Sequence, residues 1–278
     1  MNAFRLVQRG KTESGVLSVW HYAAGHLVLA AVIGVLNGHT ASAQPGTVVT
    51  TTLTSPSLDG NAWGDSATRQ ARVYLPRGYD TSSRRYPVVY YHGPTPRELS
   101  AVPRSLDNLI ADGHLRPVMA VFSESSLPAT PAYTKFWADE LVPTVDARYR
   151  TIAHAEGRVG VGGDLGTLHA IFLAFERPEM TSGLGLHSIA FLDSDWEALA
   201  PLLRTSVERP LRIYLDWGRY SMHNPQEGGD LRTHSVRYWK ELERLGFTVT
   251  GGEAPDSDGW ASWRNRADVM LRALLPSR

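Results

Sequence analysis

Short, almost unbroken apolar runs, each followed by a stretch of helical period, constrain this chain more than any other feature. "PVVYY" (residues 87–91) is one such run, and residues 118–122, 159–161, 184–186, 211–215 and 247–249 have the same character. A strand with one wet face alternates apolar and polar residues, whereas a strand covered on both faces need not. These runs therefore predict buried parallel strands. Between and after them, Phe136, Trp137, Leu141, Val145 and Tyr149 recur at three- and four-residue spacing. Leu231, Tyr238, Leu242 and Leu245 do the same, with Gly246 placed to end the helix, and Trp263, Ala267, Met270, Leu271 and Leu274 mark a last one. Residues 47–55, rich in Val and Thr, and 71–75, stopped by Pro76, read as opening antiparallel strands. The expectation is an α/β fold: a mainly parallel eight-stranded sheet with helices on both faces, in one domain over residues 44–278.

The first 43 residues read differently. Arg5, Arg9 and Lys11 form a basic start, residues 23–36 are mostly apolar, and Ala41-Ser42-Ala43 offers a small-residue cleavage site. The apolar run is too short for a mature membrane span, so residues 1–43 are expected to be a signal peptide cleaved before Gln44. The product would be soluble and exported, periplasmic or extracellular. There is no cysteine, which excludes disulfides, thiol nucleophiles and Cys-ligated zinc. Lys plus Arg and Asp plus Glu each number 28, without a basic run, so no nucleic-acid footprint is expected. Neither a cofactor nor a metal is called for.

"RVGVGGDLGTLHA" (residues 158–170) carries the most chemistry. A short strand runs through Gly162-Gly163-Asp164-Leu165-Gly166 into a helical pattern. That is the outline of a nucleophile elbow, G-x-S-x-G, in which a serine sits on a sharp strand-to-helix turn. Here Asp164 occupies the serine's place. Gly162 and Gly166 permit the tight turn, and aspartate tolerates positive φ better than most residues.

"RVYLPRGYDTSSRRYPVVYYHG" (72–93), "SLDNLIADGHLRPVMAVF" (105–122), "FWADELVPTVDARYRT" (136–151), "GGDLGTLHAIFLAFERPEM" (162–180) and "GWASWRNR" (259–266) occur in the order of a known family. The chain resembles the esterase branch of the α/β-hydrolases that includes enterochelin-esterase-like enzymes, esterase D and the mycolyltransferases. The resemblance implies an α/β-hydrolase fold and a Ser–acid–His triad for ester hydrolysis or acyl transfer. It also assigns the positions. Asp164 stands at the nucleophile, Ser221 at the acid and Asp258 at the histidine, so all three depart from the pattern. Of the oxyanion-hole donors, the N–H of Leu165 is retained. The second would come from the loop after His92-Gly93, where Pro94 has no N–H to give.

The resemblance leaves several readings open. The protein is expected to be a degenerate member that binds a small ester-like or aromatic ligand. It could instead be an active hydrolase or acyltransferase with a rearranged site, using Asp164 as nucleophile or Ser221 with His223. A cell-envelope binding or structural protein is the third reading. Asp164 and Asp258 could form a coupled carboxylate pair, or join Asp256 on a hard cation, or stand apart as ordinary loop carboxylates. His92 is expected to brace the loop after its strand. Trp217, Trp260 and Trp263 would either line an aromatic cleft or pack against the last helix.

Overall fold

The computed structural model describes residues 44–275 apart from 63, 65, 94–97, 125–130, 192, 206–209, 222 and 225–228. The expected signal peptide and Pro94 lie outside the described residues. From Gln44 onward the chain belongs to one compact unit.

Two antiparallel strands open the sheet, β1 (Thr47–Thr54) and β2 (Thr68–Leu75), paired from Thr47↔Leu75 to Thr54↔Thr68. The apolar runs then supply β3 (Val88–Gly93), β4 (Met119–Glu124), β5 (Arg158–Asp164), β6 (Gly183–Ile189) and β7 (Arg212–Tyr220). A short hairpin, β8 (His223–Asn224) with β9 (Gly229–Asp230), stands outside the main sheet. The last strand is β10 (Val249–Ser257). The sheet order is β1-β2-β4-β3-β5-β6-β7-β10, parallel from β4 through β10. This is the expected eight-stranded α/β architecture.

The last strand differs from expectation in one respect. The apolar residues 247–249 only lead into it, and the pairing continues through "VTGGEAPDS". Glycine, proline and aspartate are poor strand formers, but this is an edge strand whose outer side owes no hydrogen bonds. A register shift between Ala254 and Ser257 accommodates Pro255.

Three apolar clusters hold the layers. On one face, Phe136, Trp137, Leu141 and Val145 pack on Val73, Val88, Tyr90 and Val121. These four come from a continuous helical stretch: α2 (Pro131–Lys135), a π-helical segment (Phe136–Leu141) and α3 (Val142–Arg148). A second cluster joins α4 (Gly166–Glu176), α5 (Asp193–Thr205) and α6 (Leu231–Arg244) to β6 and β7. A third, with α1 (Val102–Ala111) and α7 (Trp260–Leu274), covers the opposite face through Leu106, Met270, Leu271 and Leu274. Helix α6 ends as its sequence predicts: Gly246 has φ +87, its N–H donates to Glu243, and Phe247 N–H donates to Leu242. No described helix is long and apolar enough to cross a membrane.

Two close backbone approaches mark the start of α4. A Cβ on Gly162 would sit 2.3 Å from the carbonyl oxygen of Gly166, and one on Gly166 would sit 2.2 Å from that of His92. Both obstacles are backbone, so neither can rotate away. Gly166→Ala is therefore expected to destabilise the protein by about 1–3 kcal/mol or more through overpacking. Urea unfolding followed by circular dichroism would read this as a lower midpoint with unchanged slope.

Candidate functional site

The elbow forms where β5 gives way to α4. Asp164, the last residue of β5, has φ +54, and Leu165 follows in helical conformation at φ −57, ψ −28. Thr167 Oγ1 donates to the carbonyl of Asp164 at 2.5 Å, closing the turn with a side chain rather than with backbone alone. An aspartate in the left-handed region costs less than a branched or bulky residue would. Leu165 stands 61% exposed at the rim, an apolar side chain beside the carboxylate. Gly93, at the end of β3, flanks the elbow: a Cβ there would lie 3.6 Å from the ring of Trp260 and 4.0 Å from the carbonyl of Gly163.

The neighbouring strand end is built around a bulge. Gly163 pairs with His187 and Asp164 with Ile189, so Ser188 is the extra residue between them. Ser188 has φ +51 and is fully buried. Its Oγ donates to Asp258 Oδ1 and accepts from Trp263 Nε1 at 3.0 Å. Asp258 Oδ1 also accepts from the N–H of Gly218 on β7 at 3.0 Å. The carboxylate of Asp258 thus ties the ends of β6 and β7 to the start of α7. Asp258 is 9% exposed, and its Oδ2 is buried without a hydrogen-bond partner. Asp164 ends β5 and Asp258 follows the edge strand β10, with β6 and β7 between them; Ser188 bonds Asp258 to β6, the strand on which Asp164 pairs.

Ser221 has a different attachment. It follows β7, but its Oγ accepts from the N–H of Arg232 at 3.0 Å, in the first turn of α6. Asp230 caps the same helix, accepting from Thr233 N–H at 2.6 Å. His223 lies in β8, paired with Asp230 across the hairpin. Asp256 is likewise engaged, accepting from Ser257 N–H at 2.8 Å and Ser262 Oγ at 2.9 Å, with Arg266 at 3.6 Å. Among the described residues, no three His, Asp or Glu side chains are grouped to hold a metal.

His92 sits below the elbow, 1% exposed, with its ring 3.9 Å from that of Trp137. Burial pushes its pKa well below the ordinary histidine range, and the nearby His169 adds to the effect. Neither ring nitrogen has a hydrogen-bond partner. It is a neutral packing residue whose backbone carbonyl receives α4. Of the tryptophans, Trp263 is buried and bonded to Ser188, Trp217 is buried against Trp239, and Trp260 remains partly exposed beside Gly93.

The family described as "Putative esterase" matches residues 66–274. The chain belongs to that esterase family. The endo-1,4-beta-xylanase/feruloyl esterase of Xylanibacter ruminicola is 33% identical over 148 residues, 45% of this chain and 20% of that protein. The match therefore spans only a fifth of that relative's length. A ferulic acid esterase structure superposes with a TM-score of 0.71 at 17% identity, covering 84% of this chain and 100% of the other. The S-formylglutathione hydrolase of Staphylococcus aureus gives 0.61 at 13% identity, covering 83% and 98%. At such identities the structural likeness establishes the α/β-hydrolase fold.

What this esterase-family site presents is a carboxylate on the elbow, a second carboxylate locked into strand ends, and an apolar rim of Leu165 and Trp260. Among the described residues, no serine hydroxyl is hydrogen-bonded to a histidine. Ser188 and its bulge escape sequence reading, because the positive φ arises from a register shift that no local residue signals. The second buried polar group, under α7, was equally hidden. Asp216 Oδ1 meets His187 Nδ1 at 2.9 Å and Arg266 at 3.2 Å, and Oδ2 accepts from Tyr214 at 3.1 Å.

Asp216 is 1% exposed. Burial alone would raise its pKa, but His187 and Arg266 more than offset that and hold it below the ordinary carboxylate range. Asp216→Ala strands a nearly buried guanidinium and is expected to cost about 3–5 kcal/mol. Because the native state binds the proton less readily than the unfolded chain, this stability is present above the ordinary value near pH ~4. It is lost as pH falls through the lower native value. Unfolding free energies of wild type and variant should converge towards that acidic limit, and a constant gap there would refute the ionised assignment.

Proposed function

We propose that this esterase-family protein is exported and binds a small aryl or acyl ester without turning it over appreciably. The observation that carries the reading is Asp258, whose carboxylate is bonded to Ser188 and Gly218. The family resemblance assigns that position to the triad histidine. A base must accept the nucleophile's proton and return it to the leaving group, and the Asp258 oxygen that meets Ser188 and Gly218 is already committed to those two donors. The elbow side chain is itself a carboxylate rather than a serine. Loss of one triad member alone costs roughly four to six orders of magnitude in rate.

Asp164 as a nucleophile would have to be released from an acyl intermediate by activated water, and Asp258 is poorly suited to activate it. Ser221 as a relocated nucleophile is disfavoured by its hydrogen bond to the start of α6. The names of relatives, a feruloyl esterase and a ferulic acid esterase, motivate hydroxycinnamoyl esters as the first ligands to test. The Leu165 and Trp260 rim is chemically suited to an aromatic ring. Export rests on the basic, apolar and Ala-Ser-Ala pattern of residues 1–43.

Two measurements test this. Purified protein incubated with a fluorophosphonate probe should remain unlabelled, and a panel of aryl and acyl esters should hydrolyse at the buffer rate. Methyl ferulate should nevertheless quench tryptophan fluorescence saturably. Stoichiometric labelling at Ser221, or ester turnover abolished by Asp164→Ala, would overturn the binding reading. Amino-terminal sequencing of the exported protein should begin at Gln44, and an intact amino terminus would overturn the export reading.

A further inference from the structure

A cavity of about 580 Å³ lies between the start of β1, the end of β2 and helix α1. It is far from the elbow along the strands. Tyr74 of β2 pairs with Ala120 near the start of β4, whereas Asp164 and Gly93 lie at the ends of their parallel strands. Arg77, just past β2, and Arg104, on α1, both line it, and both are exposed. Among the described residues neither guanidinium has an ion pair or a hydrogen bond. One carboxylate, Asp107, shares the wall. Its Oδ1 is already committed to Tyr74 OH at 2.7 Å and Gly46 N–H at 2.8 Å, so it fastens the cavity's own frame. Pro45, Pro103 and Ile110 give the remaining wall an apolar character.

We propose that this cavity binds an oxyanion, a carboxylate or phosphate, carried on a small apolar body. Guanidinium groups meet planar or tetrahedral oxyanions with paired N–H donors, and two that line one concavity make it favourable for an anion. A pocket with an apolar wall and a few placed polar groups is the usual form of a small-molecule site. Arg77 also lines the neighbouring concavity that holds Arg84 and Ser82, so the positive rim extends beyond the cavity itself. The exposed Asp112 lies outside the cavity lining, and Asp80 does too, although it lines a smaller adjoining concavity together with Arg77. The inference is independent of the elbow's role, since no residue of either cavity belongs to that site.

Calorimetric titration of the purified protein tests it with benzoate, phenyl phosphate, inorganic phosphate and benzyl alcohol. At least one aryl oxyanion should bind with a dissociation constant on the order of a millimolar or tighter. The better of benzoate and phenyl phosphate identifies the head group. Inorganic phosphate should bind more weakly than the aryl anion, benzyl alcohol should not bind, and affinity should fall with added salt. The double variant Arg77→Gln, Arg104→Gln should weaken binding at least tenfold while keeping the wild-type melting profile, because both side chains are exposed and unpaired. Asp164→Ala should leave the affinity unchanged. The absence of saturable binding, equal binding of benzyl alcohol, or affinity that survives the double variant would overturn the proposal. Loss of binding in Asp164→Ala would also overturn it, by moving the ligand to the elbow, and equal binding of inorganic phosphate would overturn the apolar requirement.

Discussion

The contact between α4 and the carbonyl of His92 sets the spacing on which much of this structure depends. A helix can approach a strand end this closely only where both Cβ atoms are missing from the contact, and Gly162 and Gly166 provide that. Once α4 is seated, nearly its whole length is buried, from Gly166 to Phe175. Its apolar side chains then reach two of the core clusters: Leu173 joins the side of β2 to β4, and Ile171, Ala174 and Phe175 join that of β6 and β7. The same approach forces the chain to turn sharply at Asp164, which takes up positive φ. The elbow is thus a consequence of packing a helix against the middle of a mainly parallel sheet, and it persists with any side chain that tolerates the left-handed backbone.

The opposite face depends on polar rather than apolar fastening. Helix α7 buries Met270, Leu271 and Leu274, and its first turn sets Trp260 and Trp263 beside buried polar groups. Asp258, Ser188 and Trp263 form one hydrogen-bonded chain, and Asp216, His187, Tyr214 and Arg266 form another. Trp263 links the two, since its ring stacks on His187 at 7° between planes while its N–H serves Ser188. Buried polar groups stabilise only when their partners are present, so each chain fixes the position of α7 more than it adds to total stability. The loop that carries Asp258 inherits its placement from both.

Much of this was legible in the sequence, and the parts that were not share a cause. Apolar runs located the sheet's strands because burial on both faces leaves a local composition signal. Gly246 marked the end of α6 because a left-handed cap favours glycine locally. Strand β10 extends where composition argues against it, since an edge position tolerates what a central one would not. Helix α5, with Pro201 inside it, and α1 were not expected from the sequence. At the site, motif order placed Asp164 on the strand-to-helix turn, where it takes positive φ. It did not place the Ser188 bulge or the Ser221 attachment, because both depend on which strand end or helix start lies alongside.

That division bears on how an esterase fold can carry carboxylates where its relatives' motifs place a nucleophile and a base. The elbow asks of residue 164 only tolerance of a left-handed backbone, and aspartate supplies it. The strand ends ask of residue 258 an acceptor that can reach both Gly218 N–H and the Ser188 hydroxyl, and one carboxylate oxygen meets both demands. Neither demand involves proton transfer. The turn, the bulge and the seating of α7 thus depend on backbone tolerance and hydrogen-bond acceptance at these positions, not on acid–base chemistry. The second oxygen of Asp258 is buried without a hydrogen-bond partner, as are both ring nitrogens of His92 and the indole N–H of Trp260. Each such group costs stability, so the fold tolerates several unpaired polar atoms around the elbow rather than optimising this region for stability alone.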